Sequence, residues 1–92
     1  MIEPTASYVP AEEILCRELA GEMVLLDVPS ATYFSLNETG TRVWHLMETR
    51  ATVEEVCQAL AKEDDITPEH MMRELIPFVE QLLETGLIRP AP

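Results

Sequence analysis

Basic residues are scarce in this 92-residue chain. Six lysines and arginines stand against seventeen aspartates and glutamates, which gives a formal net charge of -11. A field of that sign repels phosphate backbones and anionic lipid headgroups, so neither nucleic acid nor a membrane surface is expected as a partner. The first residues lack the basic start and apolar run of a signal peptide, and no apolar segment is long enough to span a bilayer. The sequence therefore predicts a cytoplasmic protein.

Residues suited to catalysis or metal binding are also few. Cys16 and Cys57 are the only cysteines, too few and too far apart for a disulfide framework or a zinc site of the Cys-x-x-Cys kind. We expect both to be small buried hydrophobic side chains, with metal binding beside His45 or His70 as the weaker alternative. The three glycines form no phosphate-binding loop, and no nucleophile lies beside a base. We therefore expect no metal, no cofactor and no catalytic activity.

What the chain does have is the composition of one globular domain. Its residues are 47% hydrophobic and 25% charged, and its length allows a single core of modest net stability. We predict one domain spanning residues 1–92, in which residues 1–11 are poorly ordered.

Three strands are predicted in the first half of the chain. The first covers Glu12 to Leu19, where the alternation is imperfect and a single helical turn is the alternative. A turn at Gly21 and Glu22 leads into an aliphatic run that ends at Val28, and a third strand follows over residues 32–36. Alternation in that third strand places one set of side chains on one face, Thr32, Phe34 and Leu36, and the other set, Tyr33 and Ser35, on the opposite face.

Cap residues then mark three helices. Asn37 is placed to cap the first helix, which carries Trp44 into the core, and Thr52 begins the second with capping-box spacing. The third begins after Thr67, with a proline at its first position, and ends at Gly86. The predicted fold is α+β, a three-stranded antiparallel sheet followed by three helices, and it is winged-helix-like in its parts.

The third predicted helix is more apolar than a core-facing helix requires. Its hydrophobic residues cover an arc of about 160°, against a stripe of roughly 100° for a helix that faces one core. Either the small domain wraps closely around this helix, or part of the arc is free to bind a partner. Arg73 is its one basic residue, opposed by four glutamates, which favours a protein-binding module over a DNA-binding one.

The sequence resembles the PqqD-like proteins in a combination of motifs. The stretch "DVPSATYFSLNETGTRVWHLM" is similar to the family pattern of an aspartate, a short turn, paired aromatics, Leu-Asn, Thr-Gly and Val-Trp in that order. The stretches "TVEEVCQAL" and "ELIPFVEQLLETGLI" also match the helical half of the family. The resemblance covers about residues 21–88.

The resemblance implies a RiPP recognition element, which holds the leader region of a ribosomally made precursor peptide while other enzymes modify its core. In the family the leader adds as a strand between the third strand and the third helix, a form of β-augmentation. Since methionine and a large aromatic suit an adaptable surface, we expect the Met71 and Phe78 edge of the helix to face the groove, rather than the Ile76 and Leu83 edge. The expected peptide-binding residues are Ala31, Thr32, Tyr33, Phe34, Ser35, Met71, Glu74, Leu75 and Phe78, with Glu74 facing a leader lysine or arginine.

Within the family, the motifs are more similar to members from lasso-peptide pathways than to PqqD itself. The resemblance then implies a leader peptidase of the transglutaminase-like type as partner, followed by an ATP-dependent macrocyclase, each a separate chain. Two alternatives remain open: a PqqD-type peptide chaperone for a radical-SAM enzyme, and a small winged-helix-like regulatory or scaffold protein.

Overall fold

The computed structural model describes all residues, 1–92, and contains five strands and three helices. In chain order the elements are β1 Tyr8–Pro10, β2 Ile14–Leu19, β3 Glu22–Asp27, β4 Thr32–Leu36, α1 Glu38–Glu48, α2 Val53–Asp64, α3 Pro68–Glu84 and β5 Ile88–Pro90.

The larger sheet is antiparallel, with the strand order β2-β3-β4. The first predicted strand is therefore a strand and not a helical turn, and the third predicted strand is β4. The β2–β3 hairpin turns through Ala20 and Gly21, which both have positive φ (53° and 82°), as a type I′ turn requires. The turn lies one residue earlier than predicted, because Glu22 already pairs with Leu19.

A second sheet, which the sequence did not predict, joins the two ends of the chain. Strand β1 pairs antiparallel with β5, so the structure has five strands rather than three. Residues 1–11, for which the sequence predicts poor order, pack against the rest of the domain in this structure. Ile2 and Tyr8 are buried in the core, and the carbonyls of Pro4 and Ala6 accept hydrogen bonds from backbone N–H groups at the start of α2 (2.9 and 3.0 Å). The segment thus anchors apolar side chains and satisfies amides that the helix leaves free.

The three helices begin at the predicted caps. The Asn37 side chain accepts from the amide of Gly40, the Thr67 side chain accepts from His70, and Thr52 forms a complete capping box. Gly86 ends α3 with φ 79°, where its amide and the next donate back to the last turn in a Schellman arrangement. None of the three helices has the length and apolar character needed to cross a membrane.

The core lies between the inner face of the β2-β3-β4 sheet and the helices. Trp44 is 1% exposed, as predicted, and Leu25, Leu60 and Val79 are fully buried around it in the same cluster. Cys57 is buried, but Cys16 is exposed, contrary to expectation, because β2 is an edge strand with little cover.

Candidate functional site

A groove of about 290 Å³ lies between the end of β4 and helix α3. The start of α1 closes one end of it, because the chain passes directly from β4 through the Asn37 cap into that helix. Eleven residues line it: Ser35, Leu36, Asn37, Thr39, Gly40, Val43, Leu60, Met71, Glu74, Leu75 and Phe78.

The floor of the groove is apolar and its rim is polar. Val43, Leu60, Met71 and Leu75 are buried and form the floor. The rim carries polar residues from the end of β4 and the start of α1 together with Glu74, which is exposed on α3. An apolar floor with a few polar groups around it is typical of a site that binds an apolar side chain and orients its backbone.

Phe78 separates this groove from a second pocket of about 150 Å³ further along the same β4–α3 seam. The second pocket is lined on one side by Phe34 and on the other by Leu82 and Leu87. Phe78 packs close to Gly40, so that a Cβ at that glycine would lie 3.1 Å from Cζ of the ring. The two pockets therefore follow one another along β4, with the Phe78 ring between them.

Strand β4 has a free edge beside these pockets. The hairpin register and the bond from the amide of Val28 to the carbonyl of Glu13 show which residues of β3 direct their backbone N–H and C=O groups toward β2. The other residues of β3 direct their backbone groups toward β4, where their hydrogen-bonded partners are Thr32, Phe34 and Leu36. The N–H and C=O groups of Tyr33 and Ser35 consequently point away from the sheet, where an added strand would pair with them.

The sequence-predicted site residues divide between this seam and other places. Ser35, Met71, Glu74, Leu75 and Phe78 line the larger pocket, and Phe34 lines the smaller one. The structure places them together, whereas Ile76 lies on a different surface with Met72 and Pro77.

The remaining predicted residues lie outside both pockets. Tyr33 offers its backbone to the free edge, but its side chain is 70% exposed on the opposite face of the sheet. Thr32 begins β4, and Ala31 lies in the preceding turn with φ 53°, so Ala31 is not part of the extended strand.

Sequence reasoning missed the contribution of α1 and α2 to the groove. Val43 and Leu60 lie on the buried sides of their own helices, and only the packing of those helices brings them under β4. Gly40 is the sequence signal that could have indicated this part of the groove. A glycine in the first turn of a helix, with no need for positive φ, indicates close approach of another group.

The electrostatic field at the groove is negative. No lysine or arginine lines either pocket, and Glu74 has only Nε2 of His70 within ion-pair distance, at 3.3 Å. Arg42 lies nearby, but its guanidinium is held by Asp64 and Glu63. The hydrogen bond to Asp64, followed by that to Glu63, raises the pKa of Arg42. A ligand with a basic residue near Glu74 is therefore favoured over an acidic one.

Groups with reactive or metal-binding potential do not gather in the structure. It contains no cluster of three or more histidine, cysteine, aspartate or glutamate residues suited to a metal ion. Burial, with a smaller contribution from Glu54, raises the pKa of the Cys57 thiol, which keeps it protonated and unreactive. His45 lies between Glu18 and Glu48 on the surface, away from both pockets.

Comparison with known proteins gives one family and two similar structures. The family model described as coenzyme PQQ synthesis protein D (PqqD) matches residues 22–88. A solved structure of TbiB1 in complex with the TbiA(beta) leader peptide superposes with a TM-score of 0.84 at 26% identity, covering 91% of this chain and 98% of that one. A lasso peptide synthetase B1 complexed with the leader peptide superposes with a TM-score of 0.83 at 27% identity, covering 92% and 100%. No curated protein sequence matches the chain.

Proposed function

The chain belongs to the PqqD family, and from that premise we propose that it is a non-catalytic adaptor for a ribosomally synthesised precursor peptide. It binds the leader region along β4 and delivers the precursor to a processing enzyme. The observation that carries the proposal is the position of an apolar groove directly beside the unpaired edge of β4. A leader strand added at that edge pairs its backbone with the sheet and places alternate side chains over the groove.

Backbone pairing supplies affinity that depends little on leader sequence. Tyr33 and Ser35 each offer one donor and one acceptor at the free edge. Each hydrogen bond formed there contributes about 0.5–1.5 kcal/mol net. Four such bonds fix the position of the leader along β4 before its side chains are considered.

Side-chain pockets supply the selectivity. An apolar leader residue fits the floor formed by Val43, Leu60, Met71 and Leu75, and a second apolar residue fits beyond Phe78. Glu74 at the rim favours a lysine or arginine in the leader, with a contribution of about 0–1 kcal/mol because the pair is exposed.

A lasso-peptide pathway is the preferred setting. Both similar structures contain leader peptides, and one is a lasso peptide synthetase B1. The processing enzyme in that setting is a leader peptidase on a separate chain, and the site of action is the cytoplasm. The DNA-binding alternative has no support at this surface, since the seam carries no basic residue.

Two substitutions at one position test the strand-addition proposal. Ser35→Pro removes the outward-facing N–H of β4, at an edge where proline is tolerated, while Ser35→Ala keeps it. Titration calorimetry with the leader of the precursor encoded beside this chain should show about tenfold or greater weakening for Ser35→Pro, and about twofold or less for Ser35→Ala. Melting curves confirm that both variants are folded. Equal leader affinity in the two folded variants contradicts pairing at this edge.

A further inference from the structure

The outer face of the β2-β3-β4 sheet, opposite the helices, carries an apolar patch that the leader groove does not use. We call it the outer patch, and its exposed members are Leu15, Leu19, Val24, Val28 and Tyr33. Leu15 and Leu19 are each 61% exposed. Apart from Met1, these five are all the exposed large hydrophobic residues of the chain. Their concentration on one face distinguishes the outer patch from scattered surface residues, and the largest apolar patch of a small domain is often functional.

The size of the outer patch argues against a second copy of this chain as its occupant. Three strands about 4.8 Å apart and six residues long present a face of about 14 by 20 Å, or roughly 300 Å². A stable interface needs about 800 Å² on each partner, so an occupant of the outer patch must also contact a surface beside it, which a symmetric face-to-face pair does not do. Face-to-face pairing would also bring together two chains that each carry a net charge of -11.

A leader strand extends the outer patch at one side. Tyr33 pairs with the leader through its backbone while its ring lies on the outer patch. A fourth strand beside β4 widens the sheet by about 4.8 Å, and every second leader side chain points to the outer face, next to Tyr33. This step rests on the function proposed above.

The charges on the same face define the chemistry of the occupant. By strand alternation Glu13 and Glu22 share this face near opposite ends, and Arg17 lies between them and forms no ion pair within the chain. A matching surface is apolar at its centre, basic at its rim and has one acidic group opposite Arg17.

We propose that the outer patch is the docking surface for the enzyme that processes the precursor, and that this enzyme contacts the patch and the bound leader together. The loaded chain then binds the enzyme more tightly than the empty chain does. By thermodynamic linkage, the enzyme tightens leader binding by the same factor.

A double variant tests the docking surface without touching the groove. Leu15→Gln with Leu19→Gln changes two exposed side chains on β2, two strands away from the leader edge. Met72→Gln, on the surface of α3 that lies outside both pockets, is the matched control. The probes are the leader peptide of the adjacent precursor and the purified peptidase encoded with it.

The expected results separate docking from leader binding. Leader affinity in the double variant should stay within about twofold of wild type, while peptidase affinity falls about tenfold or more and the Met72→Gln control keeps both. Wild-type chain should bind the peptidase about fivefold or more tightly with leader than without it.

Three outcomes overturn the inference. The first is wild-type peptidase affinity in the double variant, and the second is equal peptidase affinity with and without leader. The third is sedimentation of the wild type as a dimer that the double variant dissociates, which makes a second copy the occupant. Failure of the leader to bind at all refutes the proposed function instead. In that case, comparing the peptidase affinity of the empty wild type with that of the empty double variant still decides whether the patch docks the enzyme.

Discussion

Gly40 is the position at which one methyl group tests the groove most directly. A Cβ there would lie 3.1 Å from Cζ of Phe78, and 3.3 Å from both Cβ of Leu36 and Oδ1 of Asn37. These distances are shorter than the optimum of about 3.5–4.0 Å for carbon contacts. Leu36 is buried and Asn37 holds the cap of α1 through its 2.8 Å bond to the Gly40 amide. Only the half-buried Phe78 ring is free to move, so Gly40→Ala should displace it along the groove.

The stability of Gly40→Ala is set by two opposing effects. Alanine favours a helix interior over glycine by up to about 1 kcal/mol, and less in the first turn. Crowding of a packed site costs about 1–3 kcal/mol, at the low end where a ring can turn away. The free energy of unfolding should therefore change by about 1 kcal/mol or less, which is at most about 8 °C in Tm for a domain of this size. Leader binding should weaken by about tenfold, because the ring separates the two pockets.

A double-mutant cycle with Phe78→Ala identifies the cause. Thermal unfolding and leader titration are measured for the wild type, both single variants and the double variant. Without the ring, Gly40→Ala should be less destabilising, because only the 3.3 Å contacts with Leu36 and Asn37 remain, and it should no longer weaken leader binding. Equal destabilisation in both backgrounds would show that Phe78 is not the constraint on this glycine. Unchanged leader affinity in Gly40→Ala would refute the assignment of the ring to the groove.

Three further outcomes are expected. Trp44→Ala should cost about 3–5 kcal/mol in the free energy of unfolding because its ring is fully buried, and a melting shift of only a degree or two would contradict this. Phe78→Ala should weaken leader binding by about 1–3 kcal/mol in a folded domain while Ile76→Ala leaves it unchanged, and calorimetry showing the reverse would place the leader on the other edge of α3. Hydrogen bonds to Glu18, and then to Glu48, raise the pKa of His45. Protonated His45 therefore stabilises the fold fully below the ordinary histidine pKa, and this stabilisation is lost as the pH rises through the raised pKa. Between about pH 6 and pH 8, the Tm of the wild type should fall relative to that of His45→Gln, and parallel curves would refute the coupling.

The elements with local signals were predictable from the sequence. Asn37, Thr52 and Thr67 mark helix starts through bonds that each cap makes within its own first turn. Strands β1 and β5 gave no such signal, since each has three residues and includes a proline. Their pairing joins Tyr8 to Pro90 across almost the whole chain, and only the complete fold brings them together.

The candidate groove was predictable in part for the same reason. Helical periodicity placed Met71 and Phe78 on one edge of α3, and strand alternation separated Tyr33 from Phe34. The depth of the groove depends on how α1 and α2 pack beneath β4, which no periodicity encodes.

Burial also changes what one residue can test. Met71 is a buried floor residue, so Met71→Ala should lower the free energy of unfolding by about 2–5 kcal/mol. A loss of leader binding in this variant could then come from unfolding rather than from a lost contact with the leader.

The pairing of β1 with β5 places segments near the two ends of the polypeptide side by side, and the amide of Ala91 donates to the carbonyl of Ser7 at 2.9 Å. A flexible peptide joining Pro92 to Met1 would close the backbone into a ring with both sheets intact. New termini could then be opened at Ala20 and Gly21, in a tight exposed hairpin, to give a circular permutant with the same architecture.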